Sequence, residues 1–297
     1  MKTFSVIIPT RNRNDLLNQL VTSISLTNHY LNEVIIVDSS DNSNAKHYTK
    51  NKINYVHTNI KSAAIQRNIG IQNLNSTSEI VFFLDDDVRI QPLYFENIIE
   101  NFHKTDIVGV SGLALNMSKP TRKNPPSGIS GCFKKLFLLD SPFDGALLKS
   151  AVNIPVRIRT QMQLDNPVVD WLIGCSAWKT EILNKVEFDD FFKGQSLGED
   201  VLFSAKARKF GKLVVDTNVI LDHIESPINR PNQYEFYKMW VKNRYRISTE
   251  LNLSILNWAF HWANLGKITA IIFSSQPLKR NSLLGFWGGY KEIIWKN

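Results

Sequence analysis

Three carboxylates in a row, Asp85, Asp86 and Asp87, follow directly on the apolar run Val81, Phe82, Phe83 and Leu84. Adjacent acids repel one another, and closeness to a buried strand end adds a desolvation cost to each charge. A divalent cation offsets both. Carboxylate oxygens suit Mg²⁺ or Mn²⁺, which commonly bind through one or two carboxylates together with substrate phosphates. A turn that merely faces water is the plain alternative for such a run. Further along, Glu199 and Asp200 follow Gly198 and open the periodic segment "VLFSAKARKFG". Acids in that place are favoured by the helix dipole whatever their task. Carboxylates can also serve as general bases, a role worth ~10²–10⁴-fold in rate.

The elements that must position these groups alternate between strand and helix. "FSVIIPT" (Phe4 to Thr10) is a short, β-branched, apolar run and reads as a buried strand. Asn14 or Asp15 then caps a helix with Leu17, Leu20, Val21 and Ile24 on one face. "EVIIVDSS" (Glu33 to Ser40) is a second strand, with Asp38 at its carboxyl end, and "INYVHT" is a weaker third. Ser62 caps the helix "AAIQRNIGIQNL", "EIVFFL" is a fourth strand, and "IVGVSGLAL" is a fifth. Between the last two, Pro92 suits the first turn of a helix carrying Phe95, Ile98, Ile99 and Phe102. Continuous apolar strands alternating with helices predict an α/β fold with a mostly parallel sheet covered on both faces. In such sheets ligands bind at the carboxyl ends of the strands, where Thr10 to Arg13, Asp38 and the acidic run all fall.

Composition limits what the fold can do. The 297 residues are 43% hydrophobic and 21% charged, which suits one large domain or one with an appendage. The net charge of +8 implies an anionic partner: nucleic acid, a phosphorylated small molecule or an anionic membrane. No nucleic-acid recognition motif accompanies it. Cys132 and Cys175 lack metal-ligand spacing and fit a reducing cytosol. The opening "MKTFSVIIPTRNR" turns charged early, so no secretory signal is expected. No apolar stretch reaches the roughly 18 residues of a membrane span, which predicts a cytoplasmic protein, peripheral at most on the inner face of the cell membrane.

Taken in order, "SVIIPTRNR", "VIIVDSS", "AAIQRNIGI", "FFLDDDV", "WLIGCSAW", "GEDVLFSAKARKFGK" and "LDHIES" resemble the family 2 glycosyltransferases, over roughly the first 225 residues. That resemblance implies a nucleotide-sugar-binding GT-A fold, an inverting transfer and a divalent cation, Mn²⁺ or Mg²⁺. Carried over position by position, Pro9, Thr10 and Arg11 line the nucleoside pocket, Asp38 hydrogen-bonds the base, and Arg67 reaches the nucleotide. UDP is the leading nucleotide on the strength of Asp38. Asp85 contacts the ribose or a metal-bound water, Asp86 belongs to the same nucleotide-sugar site, and Asp87 ligates the metal. Glu199 and Asp200 match the acidic pair near the acceptor, where the Asp is usually the base, and His223 matches a histidine that completes the metal or diphosphate site in some members. The partners implied are a nucleotide-sugar donor and a glycan or lipid-linked acceptor. The Gln-x-x-Arg-Trp motif and spanning helices of processive members are missing from the sequence, which favours one sugar added per encounter.

The stretch "VVDWLIGCSAW" reads as acceptor side, with Trp171 as a stacking platform or as a core tryptophan, and with Gly174 and Cys175 in a turn. Cys175 has no nearby His to activate it and reads as packing. Residues 116–135, basic and rich in Pro, Gly and Ser, are expected to form a mobile loop beside the fifth strand. A catalytic domain over 1–227, with its nucleotide-sugar half ending near 115, and a helical, basic and aromatic region over 228–297 are the expected division. "NQYEFYKMWVKNRYRISTE" carries Tyr234, Tyr237, Val241 and Tyr245 on one helical face, and "LLGFWGGYKEIIWKN" mixes aromatic residues with lysines. Such helices either lie on an anionic membrane or pack as a subdomain. Asn257, His261, Asn264 and Lys267 interrupt Ile255 to Ser275 and oppose a spanning helix.

Other chemistry uses paired acids at strand ends. Haloacid-dehalogenase-type phosphatases usually place Thr or Val where this chain has Arg89, and nucleotidyltransferases show a glycine-rich loop that "PTRNRND" lacks. A nucleotide-binding membrane scaffold with a degenerate site is the non-enzymatic alternative.

Overall fold

The computed structural model describes residues 2–25, 30–43, 48, 52–75, 77–116, 128–157, 166–224, 231–275 and 279–294. Contacts divide the chain into two compact units. One comprises Met1–Thr121 and Ile158–Ile228, the other Arg122–Arg157 and Asn229–Asn297. Residues 122–157, read from the sequence as part of the catalytic domain, thus cluster with the C-terminal helices.

Among the described residues, the first unit is built on a nine-stranded sheet. Strand β1 (Phe4–Thr10) is buried over its whole length. It pairs in parallel with β2 (Leu31–Asp38) on one side and β4 (Ile80–Phe83) on the other, and β2 pairs in parallel with β3 (Ile53–His57). Helices α1 (Asn14–Ser25) and α2 (Ala63–Gln72) supply two of the connections. Ser62 caps α2 as its position suggests, its hydroxyl accepting from the Ile65 N–H. The fifth expected strand is β6 (Ile107–Asn116).

The sheet departs from a simple wound order beyond β4. The strand order runs β3-β2-β1-β4-β8 (Ser176–Lys179)-β6-β9 (Lys212–His223)-β5 (Val88–Ile90), and β7 (Val168–Val169) pairs with β9. Strand β8 (Ser176–Lys179) lies antiparallel between β4 and β6. Strand β9 (Lys212–His223) runs parallel to β6 and antiparallel to the short β5 (Val88–Ile90). The antiparallel insertion of β8 carries sequence from far along the chain to the middle of the sheet. Phe4, Phe82 and Phe95 pack ring on ring in the core under this sheet, with ring centroids 4.8–5.3 Å apart.

Two local expectations are corrected here. Pro92 sits in a turn ahead of α3 (Tyr94–Glu100), not in its first helical turn, because Leu93 takes a left-handed φ of 62° before the helix starts. The strand β5 was absent from the sequence reading; three residues show no periodicity. Of the loop expected over 116–135, residues 117–127 lie outside the described residues. Gly128 to Leu136 form a helix, α4, whose Ile129, Phe133 and Leu136 recur at helical spacing.

In the second unit, α7 (Gln233–Glu250) and α9 (Lys279–Ile294) pack along each other, and α8 (Trp258–Ile272) joins them. Gly285 and Gly289, one helical turn apart, permit the approach: a Cβ on Gly285 would lie 2.5 Å from the Tyr234 carbonyl oxygen. Tyr237, Val241, Phe260, Ile271, Phe286 and Ile293 form the core of this unit. Arg244 is buried there, and among the described residues none of its hydrogen bonds goes to an acid. It donates to the Ser150 and Ala151 carbonyls and to Asn264 Oδ1, and its guanidinium lies 3.9 Å from the Trp240 ring centre. Burial pushes this guanidinium down to about 9. No helix among the described residues is long and apolar enough to cross a membrane.

Candidate active site

Register between neighbouring strands assembles the acidic run with the first loop. Ile7 pairs with Phe83, so Thr10 falls level with Asp86 three residues later, and Thr10 Oγ1 donates to Asp86 Oδ2 at 2.6 Å. Arg13 reaches in from the start of α1. Its Nη1 donates to Asp86 Oδ1 at 2.8 Å and to Asp87 Oδ2 at 2.9 Å. Both oxygens of Asp86 are therefore engaged, and the residue is 3% exposed. Burial pushes its carboxyl up to about 6, with Arg13 and Thr10 pulling the other way. Asp86 acts as the inward anchor of the run, and the run as a whole is not a turn facing water.

The strand pair β5–β9 brings the next group. Val88 is opposite His223, which sets His223 Nε2 at 3.3 Å from Asp87 Oδ1. Asp87 thus has one oxygen held by Arg13 and the other turned toward His223. Asp85, Asp87 and His223 each offer one ligand atom, all within 4.8 Å of one another. The two carboxylates suit Mn²⁺ or Mg²⁺ and the imidazole leans toward the transition metal Mn²⁺, so these residues fit a cation of the kind expected from the sequence.

The antiparallel pairing of β8 with β4 explains a third contact. Phe83 is opposite Ser176, so Cys175 and Gly174 come alongside Leu84 and Asp85. The Asp85 N–H donates to Cys175 Sγ at 3.3 Å. A Cβ on Gly174 would lie 2.8 Å from Arg67 Nη2, so only the missing side chain lets the arginine pass. Burial pushes the Cys175 thiol up, which agrees with packing and not with a nucleophile.

Arg67 is the hub between the two acidic groups. Ser62 Oγ donates to the Phe192 carbonyl at 2.6 Å, tying the start of α2 to the segment that precedes α6 (Glu199–Ala207). Arg67 Nη1 then pairs with Glu199, and Nη2 donates to Asp85 Oδ1 at 2.8 Å. Arg67 is 2% and Glu199 4% exposed. Desolvation works against the Arg67 charge, yet Glu199, Asp85 and Asp200 outweigh it and raise the guanidinium. Burial pushes the Glu199 carboxyl up, against the pull of Arg67. Asp200 is pushed up to about 6, again by burial first. Its Oδ1 accepts from the Val201 N–H at 2.8 Å, an amide of the helix's first turn. Gly198, with φ 89°, supplies the left-handed residue that starts this helix.

Asp38 is fully buried at the end of β2. Oδ1 accepts from the Ser40 N–H and Oγ, and Oδ2 accepts from Tyr55 OH at 2.6 Å. Pro9 lies in β1, and Arg11 sits 4.0 Å from Asp41. Asp38 and Arg11 lie at the same sheet end as the Asp85–Asp87–His223 cluster, at the carboxyl ends of β2 and β1. Trp171, open from the sequence between a stacking platform and a core tryptophan, is 9% exposed and counts among the buried hydrophobic residues. Two residues at the centre of this edge were not singled out from the sequence. Arg13 had the same strand-end position as its neighbours. Gln66, whose Nε2 bridges the Thr10 and Val37 carbonyls at 2.9 and 2.6 Å, carries no signal beyond being next to Arg67.

Comparison with known proteins agrees with this arrangement. The sequence profile described as Glycosyl transferase family 2 matches residues 5–165. No curated protein matches the chain in sequence. Among solved structures, GalNAc-T7, crystallised with UDP, GalNAc and Mn²⁺, superposes with a TM-score of 0.61 at 15% identity, over 90% of this chain and 55% of that one. The chain thus spans little more than half the length of that relative. Residues 1–349 of S. aureus TarS give a TM-score of 0.58 at 15% identity, over 98% and 81% of the two chains. At such identities the likeness carries the fold, which is GT-A.

Proposed function

The chain belongs to Glycosyl transferase family 2, and from that premise we propose that it moves a sugar from a nucleotide diphosphate sugar to a hydroxyl of a glycan or lipid-linked glycan. UDP is the proposed nucleotide and inversion at the anomeric carbon the proposed outcome. One observation carries the reading: Asp85, Asp87 and His223 converge at the sheet end where Arg67 links Asp85 to the Glu199–Asp200 pair.

Asp85, Asp87 and His223 would hold Mn²⁺ or Mg²⁺, which when bound supplies Lewis-acid neutralisation of charge on the departing diphosphate. Arg13 keeps Asp87 Oδ2 occupied and so presents Oδ1 to the site in one orientation. Arg67, a cation that stays charged, orients Asp85 and adds positive potential beside the diphosphate. Asp200 is the proposed base. It takes the proton of the acceptor hydroxyl as that oxygen bonds to the anomeric carbon and the bond to the diphosphate oxygen breaks. Its raised pKa is a consequence of burial and brings its basicity nearer to neutral pH. Glu199, locked to Arg67, is a positioning residue. On the acceptor side the proposal extends to a protein that works at the surface of an anionic membrane, in line with the net charge of +8.

The test is a thermal-shift panel of nucleotide diphosphate sugars with and without Mn²⁺, since a ligand of the folded state raises its melting point by mass action. A UDP-sugar that raises it only when Mn²⁺ is present supports the reading. A panel with no shift in either condition refutes the donor site.

A further inference from the structure

Charge is unevenly divided between the two units. Sixteen of the 35 Lys and Arg residues fall in Arg122–Arg157 and Asn229–Asn297, against only five of the 27 Asp and Glu. The whole positive excess of the chain lies in that helical unit, and the other unit is net acidic.

The same unit carries an unusual helix. From Leu251 to Ser275 the sequence holds one lysine, Lys267, and no acid. One side of α8 packs inward through Ala259, Phe260, Ala263 and Ile271. The outward side is apolar as well: Trp258, Trp262, Leu265 and Ile272 are 53, 37, 51 and 50% exposed, at helical spacing. An exposed apolar face on a helix that already packs its other side into a core ordinarily meets a partner. In front of it, Ile255 and Leu256 stand 82 and 90% exposed on a turn where Leu256 takes a left-handed φ of 49°. That conformation disfavours a leucine and aims an apolar tip at solvent. Helix α4 lies against α8, with Phe137 stacked on Trp262 at 4.7 Å and Trp262 Nε1 donating to the Leu136 carbonyl at 2.8 Å. It adds Ile129, 92% exposed, and the adjacent lysines Lys134 and Lys135. By contrast α7, whose basic and aromatic composition marks it for a bilayer, buries Tyr237 and Val241 in the core.

We infer that the outward stripe of α8 and the Ile255–Leu256 tip insert into the headgroup region of an anionic bilayer. A contiguous exposed apolar face needs a cover. The excess of basic charge in this unit selects an anionic lipid surface as that cover, over a second copy of the chain with the same positive charge. Tryptophan suits the position because its ring is apolar and its N–H polar. Lys134 and Lys135 then face lipid phosphates, and their stems cover apolar surface. The inference deepens the membrane part of the proposed function and is independent of the transfer chemistry.

The test uses the full chain in flotation with phosphatidylcholine vesicles, alone or containing phosphatidylglycerol. The expected result is flotation with the phosphatidylglycerol vesicles, roughly tenfold above that with phosphatidylcholine alone, and a blue shift of tryptophan emission. Ile255→Asp with Leu256→Asp should abolish flotation, and Lys134→Glu with Lys135→Glu should abolish the preference for phosphatidylglycerol. All four side chains lie outside the unit's core, so melting should be unchanged, and the UDP-sugar thermal shift serves as a separate control. Parent protein that stays in solution with both vesicles overturns the inference, and so does an aspartate variant that floats like the parent. A parent that is dimeric by light scattering, becomes monomeric in that variant and never floats overturns it in favour of self-association. Loss of vesicle binding with donor binding intact removes only this inference; the converse removes only the donor site.

Discussion

Asp200→Asn separates the cost of a buried charge from its use. Burial lifts the Asp200 carboxyl from 3.8 to about 6 in the folded protein. A rise of roughly two pKa units means that keeping this side chain ionised above pH 6 costs the fold about 2–3 kcal/mol relative to the unfolded chain. The sign follows from proton binding. Between about pH 4 and 6 the folded state holds the extra proton, so stability from this group is full below the unfolded pKa and is lost as pH rises through 6. Asparagine carries no charge and can still accept from the Val201 N–H. The variant should therefore be more stable than the parent at pH 7.5, by about 2 kcal/mol, and equal to it near pH 4. At about 2–4 °C per kcal/mol for a unit of this size, calorimetry in EDTA should show a rise of roughly 4–8 °C at the higher pH. Transfer from the donor should meanwhile fall by ~10²–10⁴-fold, and the parent's rate should decline below about pH 6 as the base is protonated. Equal melting of the two proteins at pH 7.5 would refute the burial account, and a variant retaining a tenth or more of the activity would refute the assignment as base.

Arg13→Met leaves Asp86, 3% exposed, without its cation. Urea denaturation should show a loss of about 3–5 kcal/mol, much of it recovered by adding Asp86→Asn. Gly174→Ala sets a methyl 2.8 Å from Arg67 Nη2, and Arg67, pinned by Glu199, has little room to yield. A destabilisation of about 1–3 kcal/mol in denaturation, with a fall in transfer rate, is expected. His223→Ala should weaken Mn²⁺ binding about tenfold or more in calorimetric titration, with the melting point of the metal-free protein little changed, since the side chain is 32% exposed.

Periodicity and residue type were enough to reveal the first half of the fold and the acids at its edge. The buried runs ending in Thr10, Asp38 and Leu84 are local facts, because a strand buried on both faces must be continuously apolar and its polar cap stands out. The Ser62 cap was local in the same way. Ordered motifs also sufficed to name the family. Pairing across long separations was invisible by comparison. Nothing within "WLIGCSAW" says that β8 inserts antiparallel beside β4 and so sets Gly174 against Arg67. The resemblance carried by "LDHIES" implied a metal-site role for His223, but the pairing with β5 that brings it to face Asp87 is a matter of register. Burial of Trp171 and exposure of Trp258 were likewise undecided, since a tryptophan has the same composition whichever way it turns. The amino-acid order specified which groups exist and which local element carries each. Strand register, set only when the sheet closed over its core, determined which carboxylates stand beside His223 and which are held by an arginine, because a charge responds to whatever stands within a few ångströms and not to its place along the chain.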